Sequence, residues 1–348
     1  MQGKCGLFFT SYKGEAQIFQ SGFQKVMICL LILALCAAPF ALDIYMTSVM
    51  NLIFIAVIGA VSLNLLTGVC GQISLGHGAF IGVGAYAAGQ CTLNGVPFPI
   101  AILVAGLITA MVGMVFGIPS LRLKGIYLAI ATLAAQLVLE YVFLHGGVLT
   151  GGSNGLLLEP PMILGFSFDT EAKMYFLLFF FAAASLLMVS NIMRSKYGRA
   201  FVSIRDFYLS AEIVGVNLFW YKLVAFGVSS FLAGVAGGLW GHYTGYISAE
   251  QFNIGLSISY LAMIIIGGLG SVIGSVFGAI FIVLLPEVLN AIANGLGAFF
   301  PDIANSIVAL REGVFGLVLI LFLIFEPEGL AHRWRLVKAY WKLYPFAH

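Results

Sequence analysis

Long apolar stretches follow one another along most of this chain, and that feature leaves few folds open to it. About 20 mostly apolar residues is the length that crosses a bilayer as an α-helix. Inside lipid the backbone must satisfy its own hydrogen bonds, so a spanning chain is either helical or a closed barrel. Barrel strands alternate apolar and polar residues, whereas these stretches are continuous. Helices are therefore expected. Composition agrees: 61% of the residues are hydrophobic and 9% charged, with a mean hydropathy of +1.06. A soluble domain carries roughly 25% charged residues, a supply this chain lacks for a water-facing surface.

Hydropathy places ten spans, at roughly 26–42, 47–66, 70–90, 98–118, 126–144, 174–193, 223–243, 256–269, 271–289 and 307–325. The third, eighth and ninth are glycine-rich enough to be broken or kinked. The segment 26–42 follows Lys4, Lys13 and Lys25 as a secretory signal would, but the spans behind it favour a retained first helix. Basic residues provide a second test, because cytoplasmic loops collect Lys and Arg. With the N-terminus cytoplasmic, the inner segments hold Lys4, Lys13, Lys25, Arg122, Lys124, Arg194, Lys196, Arg199, Arg205, Lys222, Arg333, Arg335, Lys338 and Lys342. Of the 16 basic residues only Lys173 and Arg311 fall elsewhere. A wrong span count would scramble this partition from the first error onward. The expectation is an all-α polytopic membrane protein of about ten transmembrane helices with both termini cytoplasmic. Its parts are an N-terminal tail over 1–25, a membrane domain over 26–325 and a basic C-terminal tail over 326–348. A large outer loop covers 145–173 and an inner segment covers 194–222. Ten spans also divide into two sets of five, which would set two related halves upside down to one another.

Glycines four apart, such as Gly270, Gly274 and Gly278, or Gly234 with Gly238 and Gly237 with Gly241, let a neighbouring helix approach closely. The stretch Gly71-Gln-Ile-Ser-Leu-Gly-His-Gly-Ala-Phe80 adds polar groups to glycines. Gln72, Ser74 and His77 are costly against lipid unless each faces a partner helix or a wet cavity. Either they bond across helices and fix packing, or, with Gly71, Gly76 and Gly78, they line a pathway or its inner gate. No second His, Cys or carboxylate stands near His77 at metal-ligand spacing. The five cysteines form no CxxC pair.

The basic segment 194–222 has helical propensity without proline, and its small residues Ala211 and Gly215 lie four apart. It suits either a short helix set into a partner's groove or an interfacial helix whose arginines meet anionic lipid. No Gly-x4-Gly-Lys-Ser/Thr loop occurs, so nucleotide binding by that route would need a partner chain. Glu140 and Glu312 lie towards span ends, leaving no carboxylate clearly in mid-span for a proton relay. A sodium-coupled carrier using backbone carbonyls stays open. An intramembrane hydrolase built on Ser153 with His145 or His242 lacks a nucleophile elbow on a strand-to-helix turn.

Residues 71–86, Gly71-Gln-Ile-Ser-Leu-Gly-His-Gly-Ala-Phe-Ile-Gly-Val-Gly-Ala-Tyr86, resemble the signature stretch of permeases of the branched-chain amino-acid ABC importers. So does Thr150-Gly-Gly-Ser-Asn-Gly-Leu156 in the outer loop. The run through Gly198-Arg-Ala, Ile204-Arg-Asp206, Ala211-Glu212, Gly215 and Tyr221-Lys-Leu-Val-Ala-Phe226 is similar to the family's cytoplasmic coupling region, with the longer, M-type permease the nearest in kind. The resemblance implies an importer permease fold with ten helices per subunit. It implies a heterodimer of two permeases served by two cytoplasmic ATPases and a periplasmic solute-binding protein, in a bacterial inner membrane. Arg199, Arg205, Asp206, Ala211, Glu212 and Gly215 would meet an ATPase, and Ser153 and Asn154 would face the binding protein. The usual Glu-Ala-Ala opening is absent, Tyr208-Leu-Ser standing before Ala211. Leu, Ile and Val are the implied solutes, with urea, short amides or sugars as alternatives; no cofactor or catalytic residue is implied.

Overall fold

The computed structural model describes residues 22–343, apart from 122, 124, 164, 298–312, 314–315, 323 and 327. Helices α1 (Gly22–Ala41) and α2 (Ile44–Leu63) are joined at Asp43, and α2 runs on into a π-helical turn, Asn64–Val69. After it come α3 (His77–Leu93), α4 (Phe98–Gly117) and α5 (Ile126–His145). Next are α6 (Glu171–Arg194), α7 (Lys196–Ile213) and α8 (Leu218–Thr244). The series ends with α9 (Ile254–Gly267), α10 (Val272–Gly297), a helical piece at 316–322 and α11 (Leu330–Leu343). The protein is an all-α, multi-pass membrane protein. Among the described residues six helices are long and apolar enough to cross a bilayer: 44–69, α4, α5, α6, α8 and the first part of α10. Residues 26–41 and α9 are shorter apolar helices. Residues 1–21 of the tail expected over 1–25, and residues 307–312, 314–315 and 323 of the tenth span, lie outside the described residues, and 330–343, expected as a tail, forms a helix.

Burial separates centre from rim. The spanning window of 44–69 is 94% buried and that of α8 72%, against 28% for α6 and α10, so the first two form the core around which the others stand. The rim faces lipid: along α4, Leu103, Leu107, Met111 and Val115 are exposed at helical spacing, a stripe that water would not tolerate. Glycines set the closest crossings. A methyl on Gly84 of α3 would run into the Gly234 backbone of α8, and one on Gly237 into the Ile81 carbonyl. Gly274 and Gly278 of α10 meet the carbonyls of Gly267 and Met263 on α9 in the same way. Those clusters are packing surfaces, as small residues in membrane helices commonly are.

The third span is broken at its start, as its glycines allowed. Residues 70–76 are not helical, and α3 begins only at His77. The glycine-rich span expected over 70–90 is thus an irregular entry followed by a shorter helix. A second break at 268–271 separates α9 from α10, with Gly268 and Gly270 at positive φ.

Candidate functional site

The two breaks lie against each other, and one buried amide joins them. Asn64, at the start of the π-helical turn, donates from Nδ2 to Ser271 O (2.8 Å) and Ser275 Oγ (2.7 Å). Its Oδ1 accepts from Gly270 N at 2.8 Å. A chain that leaves a helix orphans carbonyls and amides, and each is expensive in an apolar setting. Asn64 meets that demand at the second break with a side chain from the first.

Arg205 of α7 reaches the same place. Its Nη1 donates to Gly68 O at 2.9 Å, a carbonyl of the π-helical turn. Its Nε pairs with Asp206 Oδ1 at 2.9 Å. Gly71, at φ +72°, leaves room for this side chain: a methyl there would lie 2.9 Å from Arg205 Cγ. A methyl on Gly270 would lie 3.1 Å from Arg205 Nη1. Directly after Asp206 the backbone of α7 leaves helical geometry at Phe207 (φ −149°, ψ 85°). The part of α7 before this kink buries Gly198, Ala200, Phe201 and Ile204. Beyond it Phe207, Leu209, Ile213 and Val214 stand exposed and Ala211 is buried. Gly215, at φ +91° with open space around its Cα, ends the helix, and Val216 N returns to Ala211 O at 2.9 Å. This is a Schellman-type stop. Arg199 is exposed, its Nη1 on Arg194 O at the end of α6 (3.4 Å); Glu212 is exposed too.

Helix α3 starts inside the protein, so its first amides need partners from other helices. Thr132 Oγ1 accepts from Leu75 N at 2.9 Å, Ser257 Oγ from Gly78 N at 2.8 Å and Gln136 Oε1 from Ala79 N at 2.8 Å. Gln136 completes itself by accepting from Ser257 Oγ (3.1 Å) and donating to Phe252 O (2.6 Å). Gly76 packs on α5, where a methyl would lie 2.6 Å from Thr132 O. His77 is 1% exposed. Its Nε2 lies 3.0 Å from Gly59 O, a pure acceptor, which fixes the proton on Nε2; Ser62 Oγ is 3.1 Å away and Tyr260 stands edge-on. Gln72 is buried, its Nε2 on Cys70 O at 3.3 Å and its amide on Leu66 O at 3.0 Å. Ser74 Oγ is buried without a hydrogen-bond partner among the described residues. The six expected pathway residues therefore gather at the first break, and all but Gly71 are shut off from solvent in this conformation.

Ser153 and Asn154 are elsewhere, in a 3-10 turn (Gly152–Asn154). The turn is held by Tyr246 OH on Asn154 O (3.2 Å) and by a two-residue pairing of Leu156–Leu157 with Tyr246–Ile247. Gln90, near the far end of α3 from His77, donates to Val148 O and Leu149 O at 3.0 and 2.8 Å. The outer-loop signature thus sits at the opposite end of α3 from the breaks. Helix α11 shares the end of the breaks, since Ala331 and Glu328 border Gly268. Sequence reasoning missed Asn64 and Gln136. The signal was present: each is a side-chain amide within an apolar run, and such groups need partners.

Residues 45–323 match the model of the branched-chain amino acid transport system permease component. The chain belongs to this permease family. It is similar to the high-affinity branched-chain amino acid transport system permease protein LivM of Escherichia coli K12, 28% identical over 88% of this chain and 75% of that protein. A probable LivM of Methanocaldococcus jannaschii is 25% identical over 66% of this chain and 67% of the relative. The autoinducer 2 import system permease protein LsrC of Enterobacter sp. strain 638 is 26% identical over 73% and 71%. No solved structure matches. The permease is accordingly a multi-pass inner-membrane transport protein, and both of its helix breaks fall within the residues that the family covers.

Proposed function

We propose that the permease is the membrane subunit of an ATP-binding-cassette importer that moves branched-chain amino acids, or related small polar solutes, into the cytoplasm. ATP hydrolysis resides on two partner ATPases, a second homologous permease completes the membrane unit, and a periplasmic binding protein delivers solute. The observation that carries this reading is α7: one helix presents an exposed apolar tip while its other part reaches both helix breaks. A contiguous exposed apolar patch marks a partner surface, and here movement at that surface has a direct line to the spans. The ends bearing α7 and α11 are cytoplasmic in this reading, because both carry basic clusters. Gln72, Ser74 and His77 lie on the route that solute takes past the first break, and Ser153 and Asn154 face the binding protein.

The test is uptake into vesicles holding the permease with its partners. Import that survives ATP depletion while ion gradients are clamped would eliminate the reading in favour of an ion-coupled carrier. Calorimetry on the solute-binding protein encoded beside the permease decides the solute. Titration with Leu, Ile and Val supports the first choice. The likeness to autoinducer 2 permeases makes that signal a second candidate, and urea or a short amide the third.

A further inference from the structure

We infer that Arg205 is a positioning residue that ties α7 to both helix breaks, so that a displacement of α7 moves the two breaks as one. The inference deepens the proposed function and rests on it in taking α7 as the element an ATPase displaces. Three independent contacts carry it. The guanidinium holds Gly68 O at the first break (2.9 Å), its stem fills the space that glycine leaves at position 71, and Nη1 borders Gly270 at the second. Asn64 then links Gly270 N and Ser271 O back to the first break. The kink at Phe207, two residues on, separates this arginine, whose side chain is 39% exposed while its Nη1 holds Gly68 O, from the apolar tip. The first part of α7, packed through Gly198, Ala200, Phe201 and Ile204, is thereby the lever and the second its handle.

Chemistry explains why arginine suits the position. Gly68 O belongs to a helix end and needs a donor, and a hydrogen bond from a permanently charged donor is stronger than a neutral one. The planar fork lets one side chain face Asp206, Gly68 and Gly270 from a fixed geometry. A lysine ammonium is a point charge on a flexible stem, able to reach one acceptor but not to keep the three groups in register. An arginine on this helix whose role was to grip an ATPase would instead project with Leu209 and Ile213.

The experiment uses the full-length permease assembled with its partners in vesicles, comparing Arg205→Ala and Arg205→Lys with wild type. Solute imported per ATP hydrolysed should fall about tenfold or more in Arg205→Ala, a coupling loss of the usual size between linked sites, while hydrolysis itself continues. Arg205→Lys should recover part of the loss. In the detergent-purified permease, hydrogen exchange of peptides covering 64–76 and 268–275 should quicken together in Arg205→Ala. Faster exchange at one break only, or an unchanged import-to-hydrolysis ratio, overturns the inference. So does a parallel fall of import and hydrolysis. If the wild-type assembly itself imports nothing with ATP, the underlying reading has failed, and the exchange measurement still decides whether Arg205 ties the breaks.

Discussion

Replacing Asn64 with leucine removes the one side chain that, among the described residues, hydrogen-bonds across both helix breaks. The loss is unequal among its partners. Ser271 O keeps the Ser275 amide (3.1 Å), and Ser275 Oγ still reaches Ser271 O (3.4 Å). Gly270 N has Asn64 Oδ1 as its partner and is left orphaned. An orphaned buried donor costs about 1–3 kcal/mol, and the half-buried setting of Gly270 argues for the lower part of that range. Each interhelical hydrogen bond lost in a membrane protein adds about 0.6 kcal/mol. The expected destabilisation is therefore about 2–3 kcal/mol, read as a shift in the reversible unfolding midpoint in mixed lipid–detergent micelles. A double-mutant cycle with Ser275→Ala separates the bridge from simple size change. Coupling of about 0.5 kcal/mol or more is expected, since contacting residues are not additive. Should Asn64→Leu match wild type, or the two substitutions add, the joined breaks are not held by this amide and the reasoning fails.

Three further substitutions test other parts. Gly84→Val should prevent assembly of folded permease, because the group it meets is the Gly234 backbone, which cannot rotate away; well-folded protein at normal yield would contradict the crossing. A methyl on Gly215 meets nothing, so Gly215→Trp should cost about 1–3 kcal/mol of backbone strain and leave insertion intact, yet uncouple ATP hydrolysis from uptake. Normal uptake by that variant would count against docking at the end of α7. His77→Leu removes the donor to Gly59 O and should depress uptake more than assembly, whereas His77→Gln, which keeps a donor, should retain more transport. Equal loss in both variants would mean that shape alone matters there.

Much of the fold was legible because lipid simplifies the code. Spans expected at 98–118 and 126–144 are α4, Phe98–Gly117, and α5, Ile126–His145, since an unbroken apolar run in lipid has little choice but helix. The same averaging hides breaks. Residues 70–76 read as glycine-rich enough to break, but nothing in the sequence says where. Their irregular path is set by Thr132, Gln136, Ser257 and Arg205, all far along the chain. Direction was equally hidden at α7. The resemblance implied that Arg205 and Asp206 meet a partner, while the hydrogen bond from Arg205 to the Gly68 carbonyl is visible only in three dimensions. Gly215 read as a groove-filling small residue, and its positive φ gives it a second role as a helix stop.

The way α3 begins constrains how any pathway here can open. Its first amides are filled by Thr132 and Gln136 of α5 and by Ser257 of α9. Separating α3 from either helix strips those amides of acceptors, and in a dry interior each exposed group costs several kcal/mol. Opening along this seam is affordable only if water or the solute's own acceptors replace the lost side chains as they leave. A solute bearing a carboxylate would supply such acceptors to a helix N-terminus, which also favours negative charge; urea would supply one carbonyl. Ser74 Oγ, buried without a partner among the described residues, would be free to accept a bond in the same step. If opening does exchange protein acceptors for solute acceptors, Gln136→Leu should raise basal permeation in the absence of ATP, because the closed seam has lost what the open one never had. Unchanged permeation with a folded variant would show that the seam stays shut and that solute passes elsewhere.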